Sequence, residues 1–267
     1  MSRLFHACIT DNVEVTRDYY LVTLSPLDKI QTPAPGNFFM LSIENGYDPL
    51  LKRPFSVHRC IGNNFQILYR IAGKGTALLS DKRPGDVIEI IGPLGNTFPV
   101  RKGLKNIILL AGGIGIAPIF ALAEKIISSN PSLKKRGTEL HFFYGTRTKD
   151  ELLCINELAS IGIHPVISTD DGSMGHKGNI VTVLKRHLTH HSSLLTRHCL
   201  FACGPETMLK ATADIAVKKE MNVYAAIEQH MACGLGTCLG CTVLTKDGYK
   251  CVCKEGPVFP IGDIIWE

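Results

Sequence analysis

The sequence has no run of charge of one sign and only a mild excess of positive charge. Its 267 residues carry 29 Lys and Arg against 24 Asp and Glu, which gives a formal net charge of +5. A block of five or more basic residues, which would argue for a nucleic-acid partner, does not occur. We therefore expect no nucleic acid among the partners.

Long apolar runs are also missing. The most apolar stretch, Ile107–Ala123, contains three glycines and one proline, and it falls short of the about 18 to 20 residues that cross a membrane. The first residues, MSRLFHACITDN, lack the basic-then-apolar pattern of a secretory signal. We expect a cytoplasmic protein with no membrane span and with thiols that stay reduced.

Ten cysteines stand out against these absences, and four of them have the spacing C-x4-C-x2-C-x11-C: Cys233, Cys238, Cys241 and Cys253. The first three match the plant-type iron-sulfur spacing, and the glycines between them let the backbone wrap closely around a cluster. A zinc site would usually bring two short C-x2-C or H-x3-5-H pairs, whereas a single pair here has such spacing. The pattern favours a 2Fe-2S cluster bound by these four thiolates.

Cys251 competes for the place of the fourth ligand. It lies two residues before Cys253, and alternation along a strand would put the two side chains on opposite faces, so that only one faces a cluster. We predict Cys253 as the ligand. Ordinary buried thiols are expected at Cys8, Cys60, Cys154 and Cys199.

Secondary-structure patterns predict a multi-domain β + α/β protein with boundaries near residues 101 and 225. Residues 1–100 hold short aromatic and β-branched runs between turn residues, which is typical of an antiparallel barrel or sandwich. Residues 101–224 alternate strands with helices, one of them over 151–160, and predict a parallel sheet covered by helices. Residues 225–267, rich in Cys and Gly, form a small cluster-binding segment.

A glycine-rich turn, at 111–118, follows the first strand of the second region and opens a helix. Backbone amides at such a helix start bind a pyrophosphate, and Gly113 and Gly115 would permit its close approach. Pro118 replaces the third glycine of the usual fingerprint and is expected as the first residue of the helix. A turn needed only for packing is the alternative.

Three further loops end strands of the second region and would face the same crevice. They contain Arg147, the Asp170-Asp171 pair, and Gly204 after Cys203. Arg147 would reach a phosphate and the Asp pair a ribose hydroxyl or the nicotinamide region, unless these residues are simply solvated. Because Arg favours the 2′-phosphate of NADP and acidic residues favour the free hydroxyls of NAD, the sequence leaves the choice of nucleotide open.

Taken in order, the motifs resemble the ferredoxin-NADP reductase superfamily, and within it the electron transfer subunits of dihydroorotate dehydrogenase B. The resemblance rests on RPFS at 53–56, LYR at 68–70 followed by Gly75-Thr76, GPLGN at 92–96, the glycine turn, the Cys203-Gly204-Pro205 loop, and CKEGPVF at 253–259. It implies FAD on the N-terminal barrel, with Arg53 at the pyrophosphate, Ser56 near the reactive edge of the flavin and Cys203 near the nicotinamide. The residues so implied for FAD are Arg53, Pro54, Phe55, Ser56, Leu68, Tyr69, Arg70, Gly75 and Thr76.

The implied function is that of an electron transfer subunit in de novo pyrimidine (UMP) biosynthesis. A partner subunit carrying FMN would oxidise dihydroorotate to orotate, and electrons would pass through 2Fe-2S and FAD to NAD+. Since the chain is too short for an added catalytic barrel of about 250 residues, we expect that barrel in a separate partner subunit. The resemblance implies a complex with two copies of each chain. The alternatives are a flavin and iron-sulfur subunit of an NAD(P)H-ferredoxin oxidoreductase or a sulfite reductase, and a non-enzymatic zinc-binding module.

Overall fold

The structure is a computed structural model that describes residues 3–44, 46, 48–129 and 137–266. The chain divides into two compact units. The first consists of residues 1–97, 228–243 and 248–258, and the second of residues 98–227, 244–247 and 259–267. Different parts of the cysteine-rich segment, residues 225–267, therefore belong to the two units.

In the described residues of the first unit, seven strands and one helix precede the cysteine-rich segment. They are β1 (Arg3–Thr16), β2 (Tyr19–Pro26), β3 (Phe38–Ser42), β4 (Arg53–Ser56), β5 (Arg59–Ile61), β6 (Asn64–Arg70), α1 (Lys74–Ser80) and β7 (Val87–Leu94). The strands form one antiparallel sheet in the order β4-β3-β7-β1-β2-β6-β5. This is the antiparallel N-terminal fold that the sequence predicts.

Alternation along the strands explains why this sheet closes around a core. In β1, Phe5, Ala7 and Ile9 are at most 1% exposed, while the residues between them are more exposed. Phe39 of β3 and Phe65 of β6 stack in the same core with ring centroids 4.3 Å apart. Each such buried aromatic or aliphatic side chain stabilises the fold by about 1.5–3 kcal/mol.

The second unit alternates strands and helices. They are β8 (Asn106–Gly112), α2 (Ile116–Ser129), β9 (Glu139–Thr146), α3 (Ile155–Ser160), β10 (Val166–Thr169), β11 (His176–Lys177), α4 (Ile180–His190), β12 (His198–Cys203), α5 (Glu206–Lys218) and β13 (Val223–Ala226). Three short strands follow: β14 (Thr242–Thr245), β15 (Gly248–Cys251) and β16 (Val258–Pro260). In the described parts of the chain, no helix combines the length and apolarity needed to cross a membrane.

The second sheet has the order β11-β10-β9-β8-β12-β13-β16, and its pairs from β11 through β13 are parallel. Every residue of β8, NIILLAG, is buried, as expected for a central parallel strand covered by helices on both faces. The chain leaves β8 toward β9 and β10 and then returns to place β12 on the other side. The point between β8 and β12 is therefore the topological switch point, where such sheets bind ligands.

Two predicted helix boundaries are wrong. The helix expected over 151–160 begins only at Ile155, because Cys154 has a left-handed backbone (φ 60°) that an α-helix does not admit. The helix expected to begin at Pro118 begins at Ile116, directly after a 3-10 turn over Gly113–Gly115. Pro118 is then its third residue, where a missing N–H costs nothing because the first four N–H groups have no partner in the helix.

Candidate cofactor sites

Four predicted ligand cysteines lie in and after the loop that precedes β14. Cys233, Cys238 and Cys241 belong to that loop, and Cys253 follows the end of β15. The loop turns sharply, and Gly234 has a left-handed backbone (φ +70°). A Cβ atom there would lie 2.6 Å from Cγ of Met40, so only glycine allows the loop to lie this closely on β3.

Each of the four thiols accepts a hydrogen bond from a backbone amide. The donors are Leu235 to Cys233 (3.3 Å), Gly236 to Cys253 (3.1 Å), Gly240 to Cys238 (3.5 Å) and Cys253 to Cys241 (3.5 Å). Among the described residues the Cys251 thiol accepts no such bond, and its backbone amide instead donates to Glu255 Oε2 at 2.6 Å. Amides aimed at sulfur stabilise thiolates and cluster sulfurs.

Two of these thiols have shifted pKa values. Burial raises the pKa of the Cys253 thiol to about 12, and the neighbouring Cys241 acts in the same direction. At Cys233 burial also acts to raise the pKa, but hydrogen bonds from the Thr237 hydroxyl and from neighbouring backbone amides outweigh it and lower the pKa to about 5. Burial thus favours the protonated thiol at Cys253, where iron binding would release a proton, while the hydrogen bonds at Cys233 favour the thiolate that a metal requires.

The donor set fits a two-iron cluster. Within residues 3–44, 46, 48–129 and 137–266, no three His, Cys, Asp or Glu side chains converge on one ion position. A 2Fe-2S cluster needs no such group, because each of its two irons takes two protein ligands. The fit rests on the chemistry of the donor set, which is four cysteine sulfurs that each accept a hydrogen bond from a backbone amide.

Asn96, at the end of the GPLGN loop, holds the segment that carries Cys253. Its Nδ2 donates to the carbonyls of Glu255 (2.9 Å) and Val258 (2.8 Å), and its Oδ1 accepts from the Val258 amide (2.9 Å). Its own amide donates to the Gly256 carbonyl at 2.6 Å. Sequence reasoning used this loop only as part of a motif and did not identify Asn96 as an anchor, since its partners are 159 and 162 residues away.

The predicted FAD site places Arg53 against the first turn of α1. The guanidinium donates to the Leu51 carbonyl at 2.6 Å, and its Nε lies 3.0 Å from where a Cβ on Gly75 would stand. The Thr76 hydroxyl accepts from the Gly73 amide (3.1 Å) and donates to the Gly73 carbonyl (2.9 Å), which fixes this turn. A fixed arginine beside free helix amides is a suitable cradle for a phosphate.

The other predicted FAD residues separate into two groups by exposure. Phe55, Leu68 and Tyr69 are buried, and the Phe55 and Tyr69 rings meet edge to face at 5.8 Å. The Tyr69 hydroxyl donates to Asn12 Oδ1 at 3.1 Å, and burial raises its pKa. The remaining residues are partly or fully exposed: Pro54, Ser56 and Arg70. The buried group supports the site from within the core, and the exposed group is available to a ligand.

Asn12 is a residue that sequence reasoning missed. Its Nδ2 donates to the carbonyls of Leu79 and Lys82, both at 2.9 Å, and so ties the end of α1 to β1. Together with the bond from Tyr69, this fixes the helix whose first turn lies beside Arg53. A lone Asn in a long strand gives no sequence pattern that would reveal such contacts.

The predicted nucleotide residues of the glycine turn and the β12 loop come together at the switch point. A Cβ on Gly115 would collide with the Cys203 carbonyl and lie 2.8 Å from the Gly204 amide nitrogen. Gly113 has a left-handed backbone (φ +51°), and its carbonyl accepts a hydrogen bond from the Tyr144 hydroxyl at 3.3 Å. Glycine is required at positions 113 and 115 because the two loops pack so closely. The backbone amides of these loops lie at the carboxyl ends of β8 and β12, where such sheets bind ligands.

Arg147 and Asp171 lie at the ends of the adjacent strands β9 and β10, and both already have protein partners. Arg147 Nε donates to Glu151 Oε1 at 3.0 Å. Asp171 Oδ1 accepts from the Ser173 hydroxyl (2.7 Å) and amide (2.9 Å), and these bonds lower the pKa of the Asp171 carboxyl. The two loops are therefore ordered before any nucleotide binds.

Comparisons with known proteins identify two domains in this chain. The family model "Iron-sulfur cluster binding domain of dihydroorotate dehydrogenase B" matches residues 228–265, and "Oxidoreductase NAD-binding domain" matches residues 109–214. The dihydroorotate dehydrogenase B (NAD(+)) electron transfer subunit of Clostridium perfringens is 36% identical over 96% of this chain and 95% of its own length. That of Desulforamulus reducens is 32% identical over 100% of both chains.

Solved structures support the same fold. A NADH-dependent reduced ferredoxin-NADP oxidoreductase, described as an electron-bifurcating flavin protein, is 26% identical with a TM-score of 0.82 over 97% of this chain and 90% of its own. A ferredoxin NADP+ reductase from Neisseria gonorrhoeae is 18% identical with a TM-score of 0.68 over 81% of this chain and 91% of its own.

Proposed function

Because the chain belongs to the family of dihydroorotate dehydrogenase B (NAD(+)) electron transfer subunits, we propose that it carries electrons from dihydroorotate oxidation to NAD+. It is an oxidoreductase subunit with a 2Fe-2S cluster, FAD and NAD as cofactors, and dihydroorotate is oxidised to orotate on a catalytic partner subunit. This step belongs to de novo pyrimidine biosynthesis. The observation that carries the proposal is the set of four amide-bonded thiols within the matched iron-sulfur domain.

The cluster ligands that we propose are the thiolates of Cys233, Cys238, Cys241 and Cys253. Their amide donors would stabilise negative charge on sulfur, and burial of Cys241 and Cys253 would keep water from the cluster. Cys251 is not a proposed ligand, because its backbone is held by Glu255 and its thiol has no amide donor among the described residues.

For FAD we propose that Arg53 and the first turn of α1 bind the pyrophosphate. The Arg53 side chain is already placed beside Gly75, so little entropy is lost when a phosphate binds. Ser56 would donate its hydroxyl near the reactive edge of the flavin, and Pro54 and Arg70 would contact the ligand from the same sheet. Phe55, Leu68, Tyr69 and Thr76 would support these residues.

For NAD we propose that the amides at Gly113 and Gly115 bind the pyrophosphate, and that Cys203 and Gly204 lie near the nicotinamide. The glycines let the nucleotide approach the backbone at the switch point. Arg147 and Asp171 would lie at the adenosine end of the crevice. When bound, the cluster exchanges single electrons, while the flavin exchanges one or two electrons and so connects the cluster to hydride transfer.

The catalytic partner is proposed to carry FMN and to associate as two copies of each chain. The test is to co-express this chain with an FMN-binding dihydroorotate dehydrogenase and purify the pair without oxygen. We expect co-elution on a sizing column, flavin absorption with a broad red shoulder, and bleaching by NADH or by dihydroorotate. Separate elution at micromolar concentration, or bleaching by dihydroorotate without the partner, would contradict the proposal.

A second candidate is a flavin and iron-sulfur subunit of an NAD(P)H-ferredoxin oxidoreductase. It is favoured by the likeness to the NADH-dependent reduced ferredoxin-NADP oxidoreductase over 97% of this chain. The same preparation distinguishes the two. Reduction of ferredoxin by NADH, together with failure to bind the dihydroorotate dehydrogenase, would favour this second function.

A further inference from the structure

One buried asparagine holds the GPLGN loop in place. Asn37 stands immediately before β3 and is 9% exposed. Its Nδ2 donates to three consecutive carbonyls of the loop: Leu94 (3.2 Å), Gly95 (2.9 Å) and Asn96 (3.3 Å). Its Oδ1 accepts from the Ala34 amide at 2.9 Å. An amide side chain supplies both the donors and the acceptor that this position uses.

The backbone of Asn37 belongs to the strand pair that carries the proposed flavin residues. Its carbonyl accepts a hydrogen bond from the Val57 amide at 3.1 Å. The next residue, Phe38, pairs with Ser56 in the antiparallel register of β3 and β4. Asn37 is thus bonded through its backbone to the residue that follows Ser56, which is proposed to lie near the reactive edge of the flavin.

The same loop contacts the cluster-bearing segment, residues 253–258. Gly95 has a left-handed backbone (φ +74°), and a Cβ atom there would lie 2.5 Å from Cδ of Pro257 and 2.9 Å from the Gly256 carbonyl oxygen. The Asn96 amide donates to that carbonyl at 2.6 Å, in addition to the bonds of its side chain described above. The loop is therefore in direct contact with the residues that follow the fourth proposed ligand.

Asn37 and its partners form a continuous chain of hydrogen bonds within the first unit. The chain runs from the Val57 amide through Asn37 to the Asn96 carbonyl, and from the Asn96 side chain to Val258. All four residues belong to that unit. The spacing between β4 and the cluster-bearing segment is therefore set inside one compact unit.

We propose that Asn37 is a positioning residue for electron transfer: by holding residues 94–96, it fixes the distance between the bound flavin and the cluster. The inference rests on the proposed FAD and cluster sites. A misplacement of about 1 Å between reacting groups can lower a rate about a hundredfold, so one buried contact on this link is sufficient to control the transfer. Without Asn37, the loop loses its anchor to β3 while Asn96 still holds the cluster-bearing segment.

The test variant is Asn37→Asp. It keeps the shape of the side chain and the acceptor for Ala34, but it replaces the donor by an oxygen that repels the three carbonyls. Asn106→Asp is the matched control, because Asn106 is also buried (7% exposed) and donates to two loop carbonyls in the second unit, of Ser193 (3.0 Å) and Thr196 (3.1 Å). If the buried carboxylate prevents folding, Asn37→Ala removes the donors without adding charge.

Each holoprotein is mixed with NADH without oxygen, and flavin bleaching is compared with the electron paramagnetic resonance signal of the reduced cluster. NADH delivers a hydride to the flavin, one of its two electrons passes on to the oxidised cluster, and the other stays on the flavin. In Asn37→Asp we expect cluster reduction to slow about tenfold or more, with flavin bleaching changed less than about threefold. A merely structural role would lower the yield of holoprotein and leave the ratio of the two rates unchanged. An unchanged ratio in Asn37→Asp, or an equal change in Asn106→Asp, overturns the proposal.

Hydrogen exchange in the oxidised protein, as purified, tests the link without electron transfer. The Val258 amide donates to Asn96. It should exchange about tenfold or more faster in Asn37→Asp, the effect of losing one hydrogen bond that supports Asn96, and at the wild-type rate in Asn106→Asp. An unchanged rate at Val258 would refute the role of Asn37, whereas a wild-type protein that retains neither FAD nor iron would refute the proposed function.

Discussion

Asn96 and Val258 form a reciprocal pair of hydrogen bonds. The Asn96 Oδ1 accepts from the Val258 amide at 2.9 Å, and its Nδ2 donates to the Val258 carbonyl at 2.8 Å. The Asn96 side chain thus makes both backbone hydrogen bonds that a neighbouring strand would otherwise make with Val258, a residue of the segment that carries Cys253. The position of the fourth proposed cluster ligand depends on a loop made more than 150 residues earlier.

Replacing Asn96 by Ala should weaken the cluster-bearing segment. The change leaves the Val258 and Glu255 backbone groups without their partner, which costs about 1–3 kcal/mol in the free energy of unfolding. Urea unfolding and iron content after desalting measure the effect. Asn63→Ala, at an exposed hairpin turn, is the control, and equal stability and iron content of the two variants would show that Asn96 is not an anchor.

Cys253→Ser and Cys251→Ser should give opposite results. Loss of the Cys253 thiolate removes a proposed iron ligand, so we expect the iron content to fall from about two per chain to near zero while FAD stays bound. Cys251→Ser should retain both cofactors, since its thiol has no amide donor among the described residues. Iron analysis and the visible spectrum give the result, and loss of iron in the second variant would reverse the ligand assignment.

Arg53→Lys should weaken FAD binding although the charge is kept. Lysine lacks the planar fork that binds a pyrophosphate through two parallel hydrogen bonds, so we expect the Kd for FAD to rise about tenfold or more. Flavin fluorescence on dilution measures the release. Arg17→Lys, at a side chain that is 95% exposed, should leave the Kd unchanged; a similar rise there would mean that the effect is not local.

Mild acid should destabilise the second unit through His187. Burial lowers its pKa below 6.5, and the neighbouring His191, His141 and His190 act in the same direction. The unfolded chain therefore binds a proton first as the pH falls, and the stability present above pH 6.5 is lost progressively below it.

The variant His187→Gln should show a smaller loss of Tm between pH 7.5 and pH 5.5 than the wild type. The exposed His164, replaced by Gln, serves as the control. Parallel pH profiles for the wild type and His187→Gln would show that this histidine does not carry the effect.

Local patterns were sufficient to predict much of the fold. The alternation of strand and helix patterns from Asn106 onward predicted the parallel sheet, and the short aromatic and β-branched runs of residues 1–100 predicted the antiparallel sheet. These patterns misplaced a helix boundary where the backbone conformation of one residue sets it. At Cys154 the left-handed backbone delays the start of the predicted helix to Ile155. Propensities average over a window of residues and do not register one such position.

The candidate site was predictable to the level of residue types but not of contacts. The cysteine spacing identified four thiols, but their amide donors depend on the folded loop. From the sequence, Arg147 was either a phosphate ligand or a solvated loop residue, and only the structure reveals that it bonds Glu151. Each charged loop residue could pair with many oppositely charged residues, and the spacing in the sequence does not show which of them is the partner.

The return of residues 228–243 and 248–258 to the first unit has a consequence for biosynthesis. Met40 and Leu94 lie under Gly234 and are 0% and 6% exposed in the finished protein. The contact between Gly234 and these two side chains cannot form before residue 234 has been synthesised. The first unit therefore completes its folding only after the intervening second unit has been translated.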